Sequence, residues 1–144
     1  MSTNNLSGTI TNSDLEQAGL LGQVALMATT HDVCYATLVN CCDNTPAVSR
    51  IQKGAVSSDG PASFLCNYGC SHQRCHRYCH LATFLTGLNN IMADDASRLQ
   101  HLTDAAFLSH FTQRYPPDLP WELLHLLPKI SSALISALLC KPPP

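Results

Sequence analysis

Residues 35–46 read YATLVNCCDNTP. The first eight, Tyr35 to Cys42, are almost unbroken in apolar and β-favouring side chains, the pattern of a strand covered on both faces in a parallel sheet. The run stops at Asp43. Asn44 or Thr45 can then cap a helix whose first turn accepts Pro46, so strand passes to helix with a carboxylate at the junction. In open α/β sheets ligands bind outside the carboxyl ends of the strands, which makes Asp43 the first candidate for a working side chain. An Asx-turn that merely starts the loop is the plain alternative.

Working outward, LSGTIT at 6–11 has the character of a short edge strand, and Ser13 with Glu16 forms the S-x-x-E capping box that opens a helix over about 14–29. Its apolar residues cover a broad face, so it is expected to be packed, with Gly19 and Gly22 permitting close approach to a sheet. Downstream, 47–53 reads as a short helix, Gly54 to Pro61 as a loop, and 62–77 as a second helix. YCHLATFLTG at 78–87 reads as a strand closed by Gly87. Asn89 or Asn90 caps a further helix with Asp94 and Asp95 near its start. Two more helices, 103–114 and 121–140, are separated by the proline-rich YPPDLP. The fold class is therefore α/β, with a helical C-terminal extension.

Composition sets the bounds. A chain of 144 residues, 45% hydrophobic, is one domain's worth and able to bury a core. The net charge of -2 gives no bulk basic signature, so a nucleic-acid contact would need a local patch, such as His72, Arg74, His76 and Arg77. The N-terminal sequence lacks the charged and apolar regions of a secretory signal, which points to an intracellular site, cytoplasm or nucleus, with most of the eight cysteines reduced. The apolar C-terminal run is interrupted by Glu122, His125, Pro128 and Lys129, so no membrane span is expected.

Three carboxylates fall at suggestive places, Glu16 on a helix, Asp43 at a strand end and Asp94 near a helix start. Each also has a local role open to it, in a capping box, a turn or a helix dipole. Taken with their surroundings they resemble a known family. NCCDNTPAV is similar to the strand-Asp-Asn turn of the ribonuclease H domain, and NIMADDASR resembles the N-x-x-A-D-x-x-S-R segment that closes that domain in retroelement reverse-transcriptase polyproteins. NSDLEQAGLL resembles the family's acidic helix, and the order of the three acids is also the family's. The resemblance covers roughly residues 7–98, which divides the chain into a partial ribonuclease H-like domain at 1–100 and a helical tail at 101–144.

The resemblance implies that Glu16, Asp43 and Asp94 are the second, third and fourth members of an Asp-Glu-Asp-Asp set holding two magnesium ions, with manganese as a substitute and Asp95 as the register alternative to Asp94. Hard cations take oxygen ligands, activate water and stabilise the charge that builds as a phosphodiester is cleaved. The implied substrate is the RNA strand of an RNA/DNA hybrid, read through backbone shape. Asn44, His72, Arg74, Arg77 and Arg98 are the candidate nucleic-acid contacts. The family's first Asp and first strands have no counterpart here, so the expectation is a truncated, decayed fragment with weak or absent metal binding and little nuclease activity. The missing strands would otherwise come from the rest of a polyprotein.

The competing reading starts from CNYGCSHQRCHRYCH at 66–80, where cysteine and histidine are the residue types that zinc prefers. It describes a non-enzymatic Cys/His-rich zinc-binding or interaction module. The C-x3-C spacings and the four-residue gap between them leave little chain to turn around a metal. In the ribonuclease H register Cys66 and Cys79 fall on different elements, Cys66 and Cys70 sharing a helix face as small hydrophobes. A thiol nucleophile at Cys34, Cys41 or Cys42 with His31 as base has no third, orienting group.

Overall fold

A computed structural model describes residues 9–57 and 59–141. It is a mixed α/β structure of six α-helices and a two-stranded parallel sheet. The chain divides into two compact units, one running to Phe84 and resuming at Leu126, the other Leu85–His125.

In the first unit, α1 spans Asn12–Thr30. Its capping box is not Ser13 with Glu16. Thr11 is the N-cap: its hydroxyl accepts from the Asp14 N–H at 3.3 Å, and the Asp14 carboxylate accepts from the Thr11 N–H at 2.7 Å. T-x-x-D meets the same geometric need two residues earlier, and Glu16 is released from any capping duty. Asp14 is locked further by Arg50 at 2.8 Å. Thr9 to Thr11 form no strand, and the rest of the expected 6–11 strand lies outside the described residues.

Strand β1 is Thr37–Cys42 and β2 is Cys79–Phe84, paired in parallel with Leu38 opposite His80 and Cys42 opposite Phe84. Parallel neighbours require a crossover, which α2 (Thr45–Lys53) and α3 (Pro61–His76) supply. Asn44 caps α2 through its side-chain oxygen, 3.0 Å from the Ala47 nitrogen, and Gly54 ends it with φ +60. Among the described residues the sheet is covered on one face only, where Leu20 of α1 packs with Cys42, Ala47, Val48 and Ala82, and Val24 with Val33, Leu38 and Tyr78. On the opposite face Val39 is 60% exposed, so the expectation of a strand buried on both faces fails: the strand alternates despite its continuous apolar sequence.

The largest core cluster lies on the far side of α1. Ala18, Leu21 and Ala25 pack with Leu65 of α3 and with Ile130, Leu134 and Ala137 of α6, Pro128–Leu138. This explains why α1 buries residues around most of its circumference rather than along one stripe. Gly69 lets α3 approach, since a Cβ there would lie 2.8 Å from Leu21 Cδ2. Helix α6 starts at Pro128, not at 121, because the residue before a proline is steered out of the helical region, and Leu127 has φ -60 and ψ 142.

The second unit carries α4 (Ile91–Arg98) and α5 (Asp104–Arg114). It is organised by aromatic contacts of Phe111 with Phe107, Tyr115 and Trp121, and the Trp121 indole N–H donates to the Tyr115 carbonyl at 2.8 Å. No helix of the described residues is long and apolar enough to cross a membrane.

Candidate functional site

Two elements of the first unit bring acidic groups to one place. Asp43 follows the last residue of β1 and is held there by the Asn44 cap that starts α2. Glu16 lies one turn into α1, whose start is fixed by Thr11, Asp14 and Arg50. Cys42, the last residue of β1, points inward between them. Ligand atoms of Glu16, Cys42 and Asp43 all fall within 4.8 Å of one another, the one such trio found among the described residues.

The electrostatics of this trio are unfavourable as it stands. Burial pushes the Glu16 carboxyl upward, and the neighbouring Asp43 charge pushes it the same way. The Cys42 thiol is raised first by burial and then by Glu16 and Asp43, against the opposing hydrogen bond from the Asn44 N–H at 3.4 Å. Two charges at such a separation repel by about 1 kcal/mol in bulk water and by a few kcal/mol at a protein surface. Among the described residues Asp43 has neither ion pair nor hydrogen bond to offset this. A divalent cation would. Two carboxylates with water completing the shell suit magnesium or manganese, whereas the thiol is a donor for softer metals.

The remaining candidates are distributed differently. Asp94 is on α4 in the second unit, exposed and ion-paired with Arg98 at 2.7 Å, the i,i+4 geometry of a helix-surface pair. Asp95 beside it binds the Tyr115 hydroxyl at 2.6 Å and the Arg114 guanidinium, which together hold its carboxyl below the ordinary range. Arg74 is exposed on α3, and Arg77, just past its end, donates to the Tyr35 hydroxyl at 3.2 Å. His72 is half-buried, with Nδ1 3.0 Å from the Tyr78 hydroxyl, and burial followed by the His76 charge lowers its pKa to about 4. It is neutral at pH 7 and offers phosphate no charge.

The cysteine-rich stretch runs along α3 and into β2, and no three of its ligand atoms form such a group among the described residues. Cys66 is buried with its sulfur 3.3 Å from the Gln17 amide nitrogen, and all eight cysteines are free thiols. His31 bonds Thr30, 2.8 Å away.

Two features escaped the sequence reading. Cys42 as a third donor was signalled only by its place beside Asp43 on the inward phase of the strand. His80 is 4% exposed at the centre of a polar chain: Gln23 accepts from the Asn40 amide at 2.6 Å, which turns the Asn40 oxygen towards His80 Nε2 at 2.7 Å. Nε2 is therefore the protonated nitrogen, and the buried Nδ1 has no partner among the described residues. Compared with known proteins, the chain matches no family profile, no curated protein and no solved structure.

Proposed function

We propose that the chain is part of a ribonuclease H-like domain of a retroelement reverse-transcriptase polyprotein, with Glu16 and Asp43 as ligands of a divalent-cation site. The observation that carries this reading is the convergence of Glu16 with Asp43 at the carboxyl end of a parallel strand. Glu16 has no competing role at the helix start, because Thr11 and Asp14 fill it. The order of elements, acidic helix, strand ending in Asp, crossover helices and parallel partner strand, agrees with the resemblance in NCCDNTPAV and NSDLEQAGLL.

Magnesium or manganese would be held by the two carboxylates, and such ions activate water and stabilise the charge on a phosphodiester under attack. Two carboxylates alone hold such an ion weakly, so hybrid cleavage by this pair is slow or absent. Arg74 and Arg77, exposed at the end of α3, are the cations this reading assigns to the phosphate backbone, at the opposite end of the sheet from Asp43. The Cys/His zinc module is the weaker reading, since its stretch brings no three donors together among the described residues.

The test is binding and cleavage of a labelled RNA/DNA hybrid against duplex DNA, in manganese. The expected result is hybrid preference without turnover, weakened in Arg74→Glu with Arg77→Glu. Equal affinity for both duplexes would overturn the substrate assignment. Robust turnover that survives Asp43→Asn would overturn the site.

A further inference from the structure

The end of α3 carries a histidine pair that the carboxylate site does not use. His72 and His76 are four residues apart, so their side chains rise from the same face of the helix. Their rings are stacked, with centroids 4.3 Å apart and planes inclined by 24°. His72 Nδ1 is engaged by the Tyr78 hydroxyl at 3.0 Å, and Tyr78 is itself 7% exposed, so this ring is held from behind. Nε2 of His72 and both ring nitrogens of His76 hydrogen-bond to no described residue and are not among the buried unpartnered atoms, so they reach solvent.

We propose that His72 and His76 form a two-point chelate for a borderline divalent transition cation of the zinc, nickel or copper(II) class. Imidazole is a preferred donor for these metals, and paired imidazoles one helical turn apart can reach one cation without moving the backbone, once the His76 ring turns out of the stack so that the in-plane lone pairs of both rings meet at the metal. With Nε2 on the cation, Nδ1–H of His72 donates to the Tyr78 oxygen, the outer partner that orients a ligating histidine. Burial already keeps His72 neutral at pH 7, the protonation state that ligates. The carboxyl end of a helix also favours positive charge. Water or an additional side chain completes the coordination.

The probe is nickel(II) added to the whole chain, read by titration calorimetry and by paramagnetic broadening of backbone amides. Expected is a strongest site whose broadening centres on residues 71–78, weakened about tenfold in His76→Gln by loss of one chelating arm. His76 makes no hydrogen bond to a described residue, so this variant keeps the fold, and His110→Gln serves as the matched control. Broadening centred elsewhere would overturn the proposal. So would affinity unchanged in His76→Gln, or binding lost only in Cys75→Ser, which would assign the metal to a thiol.

Discussion

His80 makes the fold acid-sensitive in a way that can be worked out from its surroundings. Its Nε2–H is committed to the Asn40 oxygen, so a second proton must go to Nδ1, which is buried and faces no acceptor among the described residues. Burial lowers its pKa from the ordinary 6.5 to about 4. The unfolded chain therefore takes up the proton first, and stability falls as pH drops from 6.5 towards 4. Each tenfold weakening of proton affinity is worth roughly 1.4 kcal/mol, so the loss from His80 reaches about 2 kcal/mol near pH 5. His72, half-buried and lowered in the same direction, adds a smaller amount after allowance for solvent. Glu16 acts in the opposite sense: its raised carboxyl is relieved by protonation, which offsets part of the loss at the acid end. Urea unfolding at about pH 7.5 and about pH 5 measures the sum, and NMR of the His80 ring reports the site alone. In His80→Gln the drop should shrink by about 2 kcal/mol, because the amide can still donate to Asn40 but does not titrate. A His80 ring that titrates near 6.5, or a pH dependence identical in the variant, would refute the reasoning.

Further predictions follow from helix packing and capping. Gly69→Ala should lower stability by about 1 kcal/mol, since the new Cβ meets Leu21 in a filled core and the overpacking exceeds the gain in helix propensity. Gly19→Ala, with nothing within 4 Å, should raise it by up to about 1 kcal/mol, and chemical denaturation of the pair checks both signs. Asn44→Ala should cost about 1 kcal/mol through loss of the α2 cap, measured the same way.

What could be read from the sequence was whatever depends on neighbours along the chain. The junction from β1 through Asp43 to the Asn44 cap is local chemistry, and α2, α3 and α5 fall within a few residues of the ranges expected. The α1 cap differs from the one expected because two candidate boxes overlap, and the contact that adds to the Thr11–Asp14 box, from Arg50, comes from 36 residues away. The apolar sequence of β1 suggested two covered faces, but what lies on each face is set by tertiary packing rather than by the strand. Periodicity extended the last helix back to Trp121, and it missed the backbone restriction imposed by Pro128. Cys42 and His80 acquire their settings only when α1 and the sheet come together, so the sequence marks Cys42 only by its place beside Asp43 and His80 by no local pattern.

Glu16 and Asp43 are proposed to hold one divalent cation between them. Manganese titration followed by thermal unfolding, comparing the natural chain with Asp43→Asn, tests it most directly. Manganese should stabilise the natural chain, Asp43→Asn should abolish this response, and the variant without metal should be no less stable because the repulsion with Glu16 is gone. An equal manganese response in both proteins, or none in either, would contradict it.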